Sequence, residues 1–191
     1  MSQYNNGKWG FKDPKDGPDC TWVLIPEEKQ LWLFIEGTNS KRDAWENLMA
    51  YPTDKSYHPI WREYALGIMI NIENLLGDEI SDYYFRIIAY SHGGATGEIL
   101  GDLLVEAGVL VSYITIWKYD SPKGKTNGKF AEGMLVSHII TRGDLIHLLP
   151  LLWFRNRNET RLRVGKPDLN PYRAHMRGWE LYKNRKKRFG L

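Results

Sequence analysis

Phe85-Arg86-Ile87-Ile88-Ala89-Tyr90-Ser91-His92-Gly93-Gly94-Ala95 is the stretch on which the fold reading turns. Phe85 to Tyr90 is an apolar run broken only by Arg86, the pattern of a strand buried on both faces. Beyond the glycine pair, Ala95, Ile99, Leu103 and Ala107 recur at helical spacing until Gly108 closes the stripe. A buried strand, a serine and a helix in immediate succession are the setting of a nucleophile elbow. So tight a turn needs small residues two before and two after the serine, and Ala89 and Gly93 stand there. The turn lifts the Ser91 hydroxyl above the sheet edge. It also aims the His92 N–H, at the helix N-terminus, at a developing oxyanion. The plainer alternative is a glycine-rich loop that holds an anion. No lysine follows the glycines and no G-x-G-x-x-G is present, so neither phosphate-loop pattern fits.

Working outward, Thr21–Ile25 and Leu31–Ile35 read as a strand pair joined by a turn at Pro26–Lys29, followed by a polar loop at Glu36–Ser40. From Tyr57 to Leu76 the period changes: Trp61, Ala65, Ile68, Ile72 and Leu75 form the stripe of an amphipathic helix. Val111–Tyr119 and Leu135–Thr141 are further strands, Thr160–Val164 reads as an edge strand, and Tyr172–Asn184 as a closing helix or loop. Such alternation predicts a mostly parallel sheet with helices on both faces. Residues 1–20, rich in Gly, Pro, Asp and Lys, read as an irregular lead-in, and Lys183–Leu191 as a basic tail. Neither a repeat nor a linker divides residues 1–191, which are expected to form one compact domain.

The 191 residues suffice to bury roughly 70% of the unfolded chain's surface without disulfide or metal. A net charge of +3 argues against a nucleic-acid partner. The one cysteine, Cys20, sits among turn-formers with no histidine near it in sequence. It reads as a structural or surface thiol and fits a reducing compartment. The opening residues lack the apolar core of a secretory signal, and no uncharged stretch reaches the ~20 residues of a spanning helix, so the expectation is cytoplasmic. No H-x-x-x-H or H-E-x-x-H spacing suggests a metal, and no cofactor is expected.

Four segments in order resemble the class 3, or fungal-lipase-like, lipases of the α/β-hydrolase superfamily. Phe34-Ile35-Glu36-Gly37-Thr38-Asn39-Ser40 with Asp43 and Trp45 is similar to that family's F-R-G-T-x-S-x-x-D-W segment. Ile88 to Ala95 resembles its G-H-S-x-G-G-A elbow. Tyr119 to Gly124, followed by Phe130-Ala131, resembles F-G-S-P-R-V-G, and Arg142 to Pro150 resembles D-x-V-P-x-L-P. The resemblance implies an α/β-hydrolase-like three-layer sandwich. It also implies a serine hydrolase that cleaves carboxylic esters, small or lipid, through an acyl-enzyme.

It further implies a triad in the chain order Ser91, Asp144, His175, with backbone N–H groups of Thr38 and His92 as the oxyanion hole. A serine hydroxyl needs a histidine to take its proton, and the histidine needs a carboxylate to fix its tautomer. Asp144 follows a strand, at the end of the sheet where open α/β folds place their sites. Asp120 also ends a strand and is the rival acid. Among the five histidines, His147 is the rival base. His92 reads as a supporting residue, His58 as a surface or cap residue and His138 as packed in a strand.

Three departures stand out: Glu36 replaces the family's usual arginine, Ala89 a glycine, and Tyr90 a histidine. They motivate the alternative of a catalytically inactive hydrolase fold used for binding or assembly. Little room for a lid between Ser40 and Tyr57 favours short or water-soluble esters. The apolar run Leu148–Phe154 reads as core or as the wall of an acyl pocket, and the basic tail as a solvated tail, with weak contact with an anionic membrane surface as the alternative.

Overall fold

Alternation along each strand decides where the layers of this computed structural model pack. It describes residues 5–9, 19–37, 57–125, 129–149 and 159–191. The strands are β1 (Asn5–Trp9), β2 (Cys20–Ile25), β3 (Gln30–Ile35), β4 (Tyr84–Tyr90), β5 (Ile114–Tyr119), β6 (Leu135–Thr141) and β7 (Glu159–Val164). The helices are α1 (Pro59–Leu76), α2 (His92–Glu106) and α3 (Pro171–Lys187). The seven strands lie side by side in chain order; β1 to β3 pair antiparallel and β3 to β7 pair parallel.

Leu31, Leu33, Ile35, Phe85, Ile87, Ala89, Ile114 and Ile116 point to one face, where α1 and α2 cover them. Successive parallel crossovers of one hand put both helices on that side. Phe34, Ile88, Tyr90 and Tyr119 point to the other face, where Tyr182 and Trp179 of α3 meet them. Three layers result, and full burial of each large apolar side chain contributes roughly 1.5–3 kcal/mol.

Three expectations change. The lead-in is not wholly irregular, because Asn5–Trp9 pairs with β2 and stacks Trp9 on Trp22 with ring centroids 5.6 Å apart. The basic tail is largely the last turn of α3, where positive side chains favour the negative end of the helix dipole. There Lys186 bonds Glu36 at 2.8 Å and Thr21 at 3.0 Å, while the Arg185 guanidinium lies 4.6 Å from the centre of the Trp117 ring. His58 does occupy the N-cap position of α1, but it is fully buried and stacked on Trp61 at 3.8 Å rather than at the surface.

Beneath the sheet's C-terminal end lies a dry charge network. The Lys118 ammonium contacts Glu98 at 2.8 Å and Glu159 at 2.6 Å, and Arg161 joins Glu159 at 2.6 Å. Burial alone would lower the Lys118 pKa, but the two carboxylates outweigh it and hold the amine charged. Likewise, burial alone would raise Glu159, yet Lys118 and the hydrogen bond from His138 hold it well below the ordinary range. Removing one member leaves charges stranded in a low-dielectric interior. Lys118→Ala is therefore expected to destabilise the chain by about 3–5 kcal/mol, read as a fall in the urea midpoint. A loss of under about 1 kcal/mol would show that the network is not electrostatically essential.

Candidate active site

β4 runs through the middle of the sheet and delivers Ser91 at its C-terminal end. Ser91 caps α2 with φ 53° and ψ −132°, a backbone conformation rare outside glycine. Its N–H donates to Tyr119 O at 2.9 Å, and its carbonyl accepts from the Gly94 N–H at 2.9 Å, so both strand and helix anchor the turn. A Cβ on Gly93 would come within 2.5 Å of the Glu36 carbonyl oxygen, which is why a side chain cannot stand there. Gly37 is also close to the turn, its notional Cβ 2.9 Å from Ser91 Cβ.

α3 brings His175 from the opposite face. Asn170 caps this helix, its side-chain oxygen accepting from the N–H groups of Tyr172 at 3.1 Å and Arg173 at 3.2 Å, and Pro171 opens it. Buried Ala174, Gly178 and Tyr182 lie on its inner face, so His175 projects beside the sheet's end. Its Nδ1 lies 2.9 Å from Asp144 Oδ2 and its Nε2 3.1 Å from Ser91 Oγ. A carboxylate only accepts, so Nδ1 carries the hydrogen, and Nε2 is left to accept from the serine hydroxyl. Asp144 is buried after β6, and its other oxygen accepts the Ile146 N–H at 2.8 Å.

The structure thus brings Ser91, His175 and Asp144 into one chain of contacts. Asp120 is close by and fully buried, but its oxygens receive the Thr141 N–H and hydroxyl at 2.6 and 2.8 Å. Burial first, and the Asp144 charge next, raise its pKa to about 8. His147 packs elsewhere, its ring 6.5 Å from that of His138. His138 itself is buried in β6, accepting the Ser121 N–H at 3.1 Å and donating to Glu159 at 3.0 Å. Among the described residues, the grouping with metal-compatible spacing is Asp120, Asp144 and His175, and both imidazole nitrogens there already face Asp144 and Ser91. Thr38, Asp43, Trp45, the Ser40–Tyr57 segment and most of the Leu148–Phe154 run lie outside the described residues.

Tyr90 has a larger place here than its sequence reading suggests. Its hydroxyl donates to the His175 carbonyl at 3.0 Å, and its ring lies 4.9 Å from the imidazole and 5.2 Å from Trp179. The signal available in the sequence is the tyrosine itself, standing where the resembled family has histidine.

No family model matches the chain, and no curated protein matches it in sequence. Solved structures do. Lipase II from Rhizopus niveus superposes with a TM-score of 0.66 at 17% identity, over 84% of this chain and 68% of that one. The lipase of Rhizopus microsporus var. chinensis gives 0.62 at 18%, over 76% and 56%. The Rhizomucor miehei lipase–propeptide complex gives 0.61 at 16%, over 75% and 50%, so this chain spans half the length of that one. The fold is that of a lipase-like α/β-hydrolase. Within the described part of this hydrolase fold, no helix is long and apolar enough to cross a membrane.

Two histidines of this lipase-like fold are buried neutral. Burial first, then the nearby His58 and His175, hold the His92 pKa near 3; burial first, then Lys118, holds His138 near 4. In the unfolded chain both titrate near 6.5, so on acidification the unfolded state binds protons first. The contribution of the two histidines should be complete above pH 6.5 and fall toward pH 4 by about 1.4 kcal/mol per pH unit each, while Asp120, whose raised pKa makes the fold bind its proton over the same window, offsets about one of the two. Urea midpoints measured across that window check this; a flat profile would mean that the two imidazoles are not both held neutral.

Proposed function

We propose that the chain hydrolyses carboxylic esters through an acyl-enzyme, with Ser91 as nucleophile, His175 as general base and Asp144 as the acid that orients it. The observation that carries this reading is the contact chain from Asp144 through His175 to a serine at a strand–turn–helix elbow. His175 Nε2 accepts the hydroxyl proton as Ser91 Oγ attacks the ester carbonyl carbon. Asp144 stabilises the imidazolium formed in that step. Negative charge gathers on the former carbonyl oxygen, where the N–H of His92, at the positive end of α2, and that of Thr38 are the proposed donors. Support for Thr38 comes from its neighbour Gly37, which packs directly on Ser91. The imidazolium then protonates the departing alkoxide. Water, deprotonated by His175 in turn, attacks the acyl carbon, releases the acid and restores Ser91.

The fold supports the same reading at a coarser level. The solved structures of like fold include lipases from three fungal genera, one of them described as a triacylglyceride lipase. A small or lipid ester is accordingly the proposed substrate class, with no metal or organic cofactor in the reaction. A fluorophosphonate should label the chain at Ser91. Ser91→Ala and His175→Ala should each lower turnover of chromogenic esters by about 10³-fold or more while the fold persists by circular dichroism. Labelling that survives Ser91→Ala would sink the assignment.

A further inference from the structure

One carboxyl beside the proposed triad has no step in the reaction. Asp120 ends β5 with φ 45° and is fully buried. Its own N–H donates to Ile139 O at 2.9 Å, and Thr141 on the neighbouring strand donates to both of its oxygens. From above, α3 closes directly over it: a Cβ on Gly178 would run into the Asp120 carboxyl. Its remaining neighbours are titratable. Asp144 comes from the turn after β6, His175 from α3 and Tyr90 from β4. The two carboxyls and the imidazole present atoms all within 4.8 Å of one another.

Two carboxylates in contact in a dry site cannot both be ionised, so one keeps a proton. Both oxygens of Asp144 face N–H groups, of Ile146 and of His175 Nδ1, whereas one oxygen of Asp120 faces the Thr141 hydroxyl, which can accept as well as donate, and burial raises the Asp120 pKa. The proton therefore belongs to Asp120. We propose that Asp120 is a positioning residue: as a neutral acid it donates a hydrogen bond to Asp144 and holds that carboxylate in line with His175. The proposal rests on the triad reading for its consequence in turnover, but not for the shared proton itself. Ionising Asp120 would remove the donor and place a second negative charge beside Asp144.

The experiment uses the full chain and two readouts. Carbon NMR of the aspartate carboxyls should show Asp120 protonated at about pH 6.5, and Asp144→Asn should let it ionise at a lower pH. An ionised Asp120 at that pH would overturn the proposal. On a chromogenic ester, Asp120→Ala should lower kcat about tenfold with KM little changed, and Asp120→Asn, a neutral donor that cannot ionise, should restore most of the loss and move any alkaline limb of the profile upward. In the Asp144→Asn background, Asp120→Ala should cost nothing further, because its effect passes through Asp144. An equal loss in both backgrounds would mark Asp120 as merely structural and refute its positioning role. Fluorophosphonate labelling reads the triad separately: a chain that never labels yet keeps Asp120 neutral sinks the hydrolase reading and leaves the shared proton intact.

Discussion

Ser91 sits at φ 53° and ψ −132°, where an ordinary residue costs on the order of 1–3 kcal/mol. The conformation persists because everything around it is fixed first. β4 is hydrogen-bonded on both sides by β3 and β5, the Ser91 N–H is held by Tyr119, and α2 starts at the next residue. Gly37 and Gly93 let the end of β3 close against the turn. With the hydroxyl raised at the sheet's end and α1 and α2 both on one face, a partner must arrive from the other layer. That requirement gives α3 its place, and with it the Asn170 cap, the small inner face at Ala174 and Gly178, and the aromatic contacts of Tyr182.

Two buried charge clusters flank this arrangement, and each meets the cost of desolvation differently. Around Lys118 the carboxylate of Glu159 stays ionised because the ammonium lies 2.6 Å from it, and Glu98 meets the same ammonium at 2.8 Å. There His138 remains neutral, so its contact with Glu159 is a hydrogen bond and not an ion pair. Around Asp144 the groups in contact are a second carboxyl and an imidazole. Burial then raises Asp120 where Lys118 keeps Glu159 depressed. One physical rule, that dry charge must be neutralised, yields ion pairs in one cluster and a retained proton in the other.

Periodicity made the layers legible. The alternation in β3 to β5 and the stripes of α1 and α2 are local patterns, and local patterns survive in a linear reading. The elbow was legible for the same reason: strand, small residues and helix all fall within a dozen positions. Its partners were not. Asp144 and His175 lie 31 residues apart and His175 lies 84 from Ser91, so their meeting depends on the docking of α3, which spacing alone does not encode. Resemblance, not geometry, ordered Asp144 before Asp120 and His175 before His147. The edge strand Asn5–Trp9 stayed hidden because its asparagines and glycine look like a loop, and only pairing with β2 makes it a strand. The buried His58 was obscured by the proline that follows it, which marks a helix start but carries no information on burial.

The three departures from the resembled family bear on whether the fold has been put to another use. Each departure here is built into a contact. Glu36 finds a cation in Lys186, so a reversed charge is answered from α3. Ala89 is fully buried on the α2 side of the sheet, small enough for the helix to pass. Tyr90 reaches over the turn to the carbonyl of His175, tying the residue before the serine to the backbone that carries the histidine. That bond registers α3 against the elbow. The substitutions read as a different way of bracing the same geometry, and the tyrosine makes the bracing direct.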